Sequence, residues 1–118
     1  MMIKKEYEGI RNASPVKRYK NFINTVADRE KVWLLQNDEG EATLDINDVI
    51  YILVWPRKEF CEPFASEDEK IISLEVHDFL KKCSVLEDYV QFMVFPTEKD
   101  VYSVSAKQLS EDITRLFR

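Results

Sequence analysis

The pattern of apolar positions predicts a long helix near the beginning of the chain. Ser14 and Pro15 are typical of a helix N-cap followed by the first helical position. The apolar residues after them recur at three- and four-residue spacing, which indicates one buried helix face. These residues are Val16, Tyr19, Phe22, Ile23 and Val26. The polar stretch before Ser14 predicts a loose lead-in over residues 1–13, followed by a single α+β domain over residues 14–118.

The next part of the chain has the pattern of β-strands. Two strand-like segments, "KVWLLQ" and "EATLDI", flank the turn "NDEG", in which Gly40 is suited to a positive φ. The following segment, "VIYILVW", is apolar on both of its alternating faces, as in a strand that is buried on both sides. We therefore expect a hairpin followed by a central strand that ends at Pro56.

Helices and strands alternate in the second half of the chain. "KEFCEPFA" predicts a short helix over residues 57–65, "KIISLEV" a strand, "HDFLKKCSVL" a helix and "YVQFMVF" a strand. "PTEKD" predicts a turn and "VYSV" a short strand, and Ser105 and Gln108 then form a capping box for the last helix. The apolar stripe of that helix is Leu109, Ile113, Leu116 and Phe117.

This order of elements predicts an α+β fold with a mixed sheet of about five strands covered by about four helices. The first three strands should be antiparallel because their connections are short. The later strands should be parallel, with right-handed crossovers, because they alternate with helices. The length of the chain agrees with this architecture, because 118 residues are enough to form one domain with one hydrophobic core.

Composition narrows the class of protein. With 45 % apolar and 33 % charged residues the chain is globular, and its longest apolar run is far shorter than the roughly 20 residues of a membrane span. The charged N-terminus lacks the apolar segment of a secretory signal, which predicts a cytoplasmic protein. Cys61 and Cys83 are accordingly expected to be free thiols.

The net charge of −5 is unevenly distributed. Residues 1–31 hold eight Lys and Arg against four Asp and Glu, so the rest of the chain carries −9. The basic part is either a surface for an acidic partner or an ordinary solvated helix face, and the second is the commoner case. Nucleic-acid binding is not favoured, because the basic cluster Arg11, Lys17, Arg18 and Lys20 lies in an acidic chain.

Three segments carry a family resemblance: "EKVWLLQNDEG", "VWPRKEFCEPFA" and "EVHDFL". In them the chain resembles a bacterial family named domain of unknown function 2750, over roughly residues 18–117. The shared features are aromatic and apolar residues at corresponding positions. The resemblance therefore implies a fold and does not imply a catalytic activity. Cys61 stands where members of that family carry alanine, and Pro63 is a second departure. A fainter similarity links the chain to the enhanced-serine-sensitivity protein family.

Candidate catalytic and metal-binding residues are few. His77 is the single histidine, and its position at a helix start favours a structural or surface role over that of a base. One histidine and two distant cysteines do not match a zinc site. Five acids lie between residues 38 and 48, but their spacing is not that of a calcium loop, which favours a solvated hairpin tip. They are Asp38, Glu39, Glu41, Asp45 and Asp48. We predict no metal, no cofactor and no catalytic residue.

Cys61 follows the central strand closely, where many enzymes keep a nucleophile. Its neighbours argue against that role, because Glu59 and Glu62 oppose formation of a thiolate. Free cysteine also behaves as a small apolar residue. We therefore interpret Cys61 as a packing residue beside Phe60 and Phe64.

The carboxyl end of the central strand is the one position that points to a binding surface. Ligands of sheets with parallel crossovers tend to sit beyond the carboxyl ends of the strands, and here that rule selects Trp55, Arg57 and Lys58. Tryptophan in a strand is more often part of the core. Trp55, Arg57 and Lys58 are thus a candidate surface for a ligand or partner.

The function that these observations favour is that of a non-enzymatic cytosolic protein that binds another protein, as an adaptor or an immunity-like protein. The alternative is a small-molecule sensor, or an unusual enzyme, with its site near Trp55. The first is favoured because the usual catalytic patterns are absent from the sequence.

Overall fold

A computed structural model describes residues 8–97 and 100–117. It confirms an α+β fold with a mixed sheet, and a single hydrophobic core lies between the sheet and its helices. The helices are α1 (Pro15–Arg29), α2 (Lys58–Cys61), α3 (Val76–Cys83) and α4 (Ala106–Arg115). The strands are β1 (Lys31–Asn37), β2 (Gly40–Glu41), β3 (Thr43–Ile46), β4 (Val49–Trp55), β5 (Lys70–Glu75), β6 (Val90–Val94) and β7 (Tyr102–Ser105).

The polar lead-in predicted over residues 1–13 is partly helical, because residues 8–11 form a helical turn before α1. Residues 1–7, and residues 98–99 of the predicted "PTEKD" turn, lie outside the described residues. The division of the chain into a lead-in and one domain stays a prediction.

The main strands of the sheet lie in the order β5–β1–β4–β6–β7. The parallel pair is β4 with β6, whereas β1 and β4, β6 and β7, and the short hairpin strands all pair antiparallel. The expectation for the first strands is therefore confirmed. The expectation that the later strands are parallel is confirmed for β6 and wrong for β5 and β7. β5 pairs antiparallel with β1, because the chain returns to the outer edge of β1, and β7 pairs antiparallel with β6.

The segment "EATLDI" forms two short strands instead of one. β2 pairs with the end of β1, and after Ala42 the chain crosses to β4, where Thr43 lies opposite Ile52. Asn47 and Asp48 connect β3 to β4 with φ angles of 50° and 68°, the conformation of a type I′ turn. The strand is divided because each half finds a different partner.

One face of the sheet is covered by α1, α3 and α4. Alternate residues of each strand point to this face, and paired residues share it, as Leu34 does with Val54 and Ile52 with Phe92. These four side chains are almost completely buried. Burial of this continuous apolar surface is the main source of stability of such a fold.

The other face is covered at one end by α2 and a 3₁₀ turn, Glu62–Phe64. The predicted helix over residues 57–65 is therefore divided, and Pro63 lies in the 3₁₀ part. Proline has no N–H for an α-helical hydrogen bond, so it ends the regular helix. Phe64 packs on Trp55 with ring centroids 5.4 Å apart, which fixes this segment over the carboxyl end of β4.

Candidate functional site

The carboxyl end of β4 holds the three residues that the sequence singled out. Trp55 is completely buried, and its indole N–H donates to the carbonyl of Pro96 at 3.3 Å. Its ring therefore offers no face to a ligand. Arg57 is half-buried with its guanidinium 5.9 Å from the ring centroid of Phe60, and Lys58 is exposed. A ligand or partner surface at this end would consist of Arg57 and Lys58, and their role stays a prediction.

Cys61 lies in α2 with no exposed surface. Burial raises the pKa of its thiol to about 12, and the carboxylates of Glu62 and Glu59 act in the same direction. Cys83 is also buried, and burial raises the pKa of its thiol to about 12. Both cysteines are free. These environments are those of apolar packing residues rather than of nucleophiles.

We expect Cys61 to react with a thiol reagent slowly in the native protein and quickly in denaturant, because its sulfur is enclosed and protonated. Replacement by alanine should cost about 1–2 kcal/mol of unfolding free energy, since one sulfur-sized group is lost from the core. Labelling rates of the Cys83→Ala variant, in which Cys61 is the remaining thiol, measure this directly. Fast stoichiometric labelling of the native variant would contradict the packing role.

His77 is exposed near the start of α3, in agreement with a surface role. Its Nδ1 lies 2.8 Å from Oε1 of Glu75, and this hydrogen bond raises the pKa of His77 and lowers that of Glu75. Glu75 also caps α3 by accepting from the backbone N–H groups of His77 and Asp78. The N-cap residue of α3 is therefore Glu75, which the sequence pattern assigned to the preceding strand.

Within the described part of the chain, Glu30, Glu75 and His77 form a group whose ligand atoms lie within 4.8 Å of one another. All three are exposed, and the Glu75 carboxylate is already engaged by His77 and the helix cap. The group therefore has a structural explanation that needs no metal.

The acidic residues between positions 38 and 48 do not gather at a single hairpin tip. Asp38 and Glu39 lie in the β1–β2 turn, whereas Asp45 lies within β3 and Asp48 in the β3–β4 turn. Glu41 forms an ion pair with Lys82 of α3. Burial alone would raise the pKa of Glu41, but the hydrogen bond from Lys82, a backbone hydrogen bond and the positive charge of Lys82 together lower that pKa.

Arg18 is not part of a basic surface, although its sequence neighbours Lys17 and Lys20 are exposed. Its guanidinium is completely buried and donates to the backbone carbonyls of Ala13, Phe95 and Asp100, at 2.8, 3.1 and 3.0 Å. It also forms an ion pair with the carboxylate of Asp100. The basic cluster read from the sequence is thus divided between the interior and the surface.

A groove of about 480 Å³ runs between α1 and α4. Its floor is made by Tyr19 of α1 and Tyr102 of β7, whose rings are stacked with centroids 4.5 Å apart. Val16 and Leu116 line its sides and are 50 % and 47 % exposed. The sequence pattern assigned Val16 and Leu116 to buried helix stripes. In the structure they form the exposed apolar walls of this groove.

Polar groups fix the floor of the groove. The Tyr19 hydroxyl donates to Oδ2 of Asp112 at 2.5 Å, and the Gln108 side chain donates to Oδ1 of Asp112 at 2.9 Å. Burial and the bond to Asp112 both raise the pKa of Tyr19. The Asp112 carboxylate is therefore held inside the groove as an acceptor, and the tyrosine stays protonated.

The charges at the edge of the groove are mainly basic. Lys20 lies on the α1 side and Arg115 on the α4 side, with Lys17 one helical turn before Lys20. The acid of the groove, Asp112, is only 19 % exposed and has Arg115 at 3.8 Å. An apolar groove with a basic rim thus stands out on a chain whose net charge is −5.

Sequence reasoning did not find this groove. One signal was available: Asp112 is three residues from Leu109 and four from Leu116, so it lies on the apolar stripe of the last helix. A polar residue in such a stripe indicates a buried partner, which here is Tyr19. The capping box at Ser105 and Gln108 is half formed, because the Gln108 side chain turns to Asp112 instead of to Ser105.

None of the helices in the described residues is both long and apolar enough to cross a membrane. No curated protein matches the chain. The model of the family described as "Protein of unknown function (DUF2750)" matches residues 19–113, which comprise the sheet and most of its helices. The chain therefore belongs to the DUF2750 family of proteins of unknown function.

Proposed function

We propose that this protein is a non-enzymatic protein-binding module, and that the groove between α1 and α4 receives an acidic amphipathic segment of its partner. The observation that carries the proposal is the combination of exposed apolar walls, Val16 and Leu116, with a basic rim at Lys20 and Arg115. Exposed apolar surface that is contiguous and bordered by charge is typical of interaction sites.

A helix is the form of partner that suits this groove. Two neighbouring helices leave a channel between them, and an amphipathic helix can lay its apolar residues into such a channel at i, i+3 and i+4 spacing. Acidic residues on its flanks would face Lys17, Lys20 and Arg115. Asp112 does not oppose them, because its charge is already engaged by Arg115, Tyr19 and Gln108.

The basic rim favours an adaptor over an immunity-like protein. A protein that neutralises a basic toxin would present an acidic face, whereas this groove presents a basic one. The alternative function, a small-molecule sensor or an unusual enzyme with its site near Trp55, would have to use Arg57 and Lys58, since Trp55 is buried. We also propose that the protein is cytoplasmic and of bacterial origin. The same proposal includes a distant relationship to the enhanced-serine-sensitivity family.

A screen of random peptides about 16 residues long, roughly 24 Å as a helix, tests the proposal on the full chain. We expect the selected peptides to combine acidic residues with apolar residues at helical spacing. Their affinity should fall about tenfold or more, at least ~1.4 kcal/mol, in the variants Leu116→Asp and Lys20→Glu. Added salt should weaken binding as well, because the rim charges are exposed.

Val85→Asp is the matched control, because Val85 is 75 % exposed and lies beside Lys81 and Lys82, away from the groove. It should bind the selected peptides as the unmodified chain does. The proposal would be overturned if the screen selects no peptide, or if it selects peptides without acidic residues. It would also be overturned if the selected peptides bind the Leu116→Asp variant as well as they bind the unmodified chain.

A further inference from the structure

Two carboxylates and the single imidazole of the chain meet where α1 ends and α3 begins. Glu30 is the C-cap residue of α1, Glu75 ends β5, and His77 lies in the first turn of α3. One ligand atom from each residue lies within 4.8 Å of the other two. The backbone fixes this junction, because the N–H of Val76 donates to the carbonyl of Glu30 at 2.9 Å.

The two carboxylates are not neutralised by a basic side chain. In the part of the chain that the structure describes, no lysine or arginine forms an ion pair with Glu30 or with Glu75. Lys31 lies opposite Glu75 in the sheet, but its ammonium is held over the ring of Trp33, 5.9 Å from the centroid. Two like charges this close repel each other, and a divalent cation between them removes the repulsion.

The contact between His77 and Glu75 has the spacing of two ligands on one metal ion. Nδ1 of His77 lies 2.8 Å from Oε1 of Glu75. Two atoms bonded to Zn²⁺ at about 2.0–2.1 Å are about 2.8–3.4 Å apart when the angle between the bonds is about 90–109°. A metal ion can therefore replace the hydrogen atom shared in this contact with little movement of either side chain. The imidazole then carries its hydrogen on Nε2, and Nδ1 offers its lone pair to the metal.

Metal binding at this place is compatible with the cap of α3. Glu75 accepts from the N–H groups of His77 and Asp78 through Oε2, at 2.9 and 3.4 Å, whereas Oε1 faces the imidazole. The oxygen that would bind a metal is thus different from the oxygen that caps the helix. The His77 ring also contacts the ring of Phe117, with centroids 5.8 Å apart. Contacts of this kind orient metal ligands before the metal binds.

We propose that Glu30, Glu75 and His77 form a surface site for a divalent metal ion of the zinc class. The ion would be bound by Nδ1 of the imidazole and by one oxygen of each carboxylate. Such a mixed set suits Zn²⁺ and similar transition metals better than Ca²⁺, which takes about six to eight oxygen ligands. Because all three residues are exposed, water completes the coordination. The bound ion links the end of α1 to the junction of β5 and α3.

Titration of the full chain with Zn²⁺, followed by NMR of the imidazole ring, tests the proposal. His77 is the only histidine in the sequence, so the ring signals report on this site alone. We expect Zn²⁺ to shift these signals in a saturable manner, and Ca²⁺ at the same concentration to leave them unchanged. Calorimetry gives the dissociation constant, and the thiols of Cys61 and Cys83 do not compete because both are buried in the folded chain.

The variants Glu30→Gln and His77→Gln should weaken zinc binding about tenfold or more, or ~1.4 kcal/mol, because each removes one ligand. Glu30→Gln keeps the backbone carbonyl that accepts from Val76, so it changes the ligand and leaves the junction intact. Glu67→Gln is the matched control, because Glu67 is exposed and lies near the other end of β5. The control should bind Zn²⁺ as the unmodified chain does.

Three outcomes would each overturn the metal site. The first is a set of His77 ring signals that do not respond to excess Zn²⁺. The second is a Glu30→Gln variant that binds Zn²⁺ as tightly as the unmodified chain, since the ion would then be held by the imidazole alone. The third is an equal response to Ca²⁺, which would indicate attraction to negative charge without coordination by the imidazole.

Discussion

Replacement of Trp55 by alanine should lower the free energy of unfolding by about 3–5 kcal/mol, the range found when a large buried aromatic residue is truncated. The side chain is completely buried, its ring packs on Phe64, and its N–H donates to the carbonyl of Pro96. The variant loses the apolar contacts and also leaves that carbonyl without its donor. This loss is a large part of the ~5–15 kcal/mol by which a domain is stable.

Urea unfolding followed by circular dichroism measures the effect without relying on the fluorescence of the residue removed. Trp33→Ala is the matched control, because Trp33 lies directly opposite Trp55 in the sheet but is only half-buried. The Trp33→Ala variant should lose clearly less unfolding free energy than the Trp55→Ala variant. Trp55→Phe keeps most of the ring and loses the hydrogen bond, so it should cost about 1–2 kcal/mol. Equal losses for Trp33→Ala and Trp55→Ala would contradict the core role of Trp55.

The elements that were predictable from the sequence are those in which a local pattern and its environment agree. The helix stripe Tyr19, Phe22, Ile23 and Val26 is buried as its spacing indicates, and Ser14 accepts from the N–H of Lys17 as an N-cap does. The central position of β4 also follows from its pattern, because it is flanked by β1 and β3 on one side and by β6 on the other. In these elements the periodicity reports directly on burial.

Other features depend on partners that are distant in sequence. The division of "EATLDI" at Ala42 and the place of β5 beside β1 depend on which strand each segment pairs with. The exposure of Val16 and Leu116 depends on how closely α1 and α4 approach each other. A helical period identifies the face of one helix, but it does not give the width of the channel between two helices.

Arg18 is the clearest case of a local signal that was open to a different interpretation. It lies four residues before Phe22 and eight before Val26, so the helical period places it on the buried side of α1. As one of four neighbouring basic residues it suggested a charged surface instead. A single charged residue on an apolar stripe indicates a buried hydrogen-bonding site, and the carbonyls of Ala13, Phe95 and Asp100 provide it.

Replacement of Arg18 by methionine should lower the free energy of unfolding by about 3–5 kcal/mol, because removal of one member of a buried charged network leaves its other members unsatisfied. Methionine preserves much of the length and apolar volume, so the loss reports on the hydrogen bonds rather than on a cavity. Three backbone carbonyls lose their donor, among them that of Phe95, a non-glycine residue with a φ of 51°. Such a conformation persists only where the surroundings hold it.

Lys17→Met is the matched control for Arg18→Met, since it removes one positive charge from the adjacent, exposed position of the same helix. It should change stability by no more than about 0.5 kcal/mol. Asp100→Asn should cost less than Arg18→Met, because the Asp100 side chain is 47 % exposed and the backbone carbonyls keep their donor. The measurement is again urea unfolding at equilibrium. A loss for Arg18→Met no larger than that for Lys17→Met would show that the buried guanidinium does not hold α1 to the chain around Phe95 and Asp100.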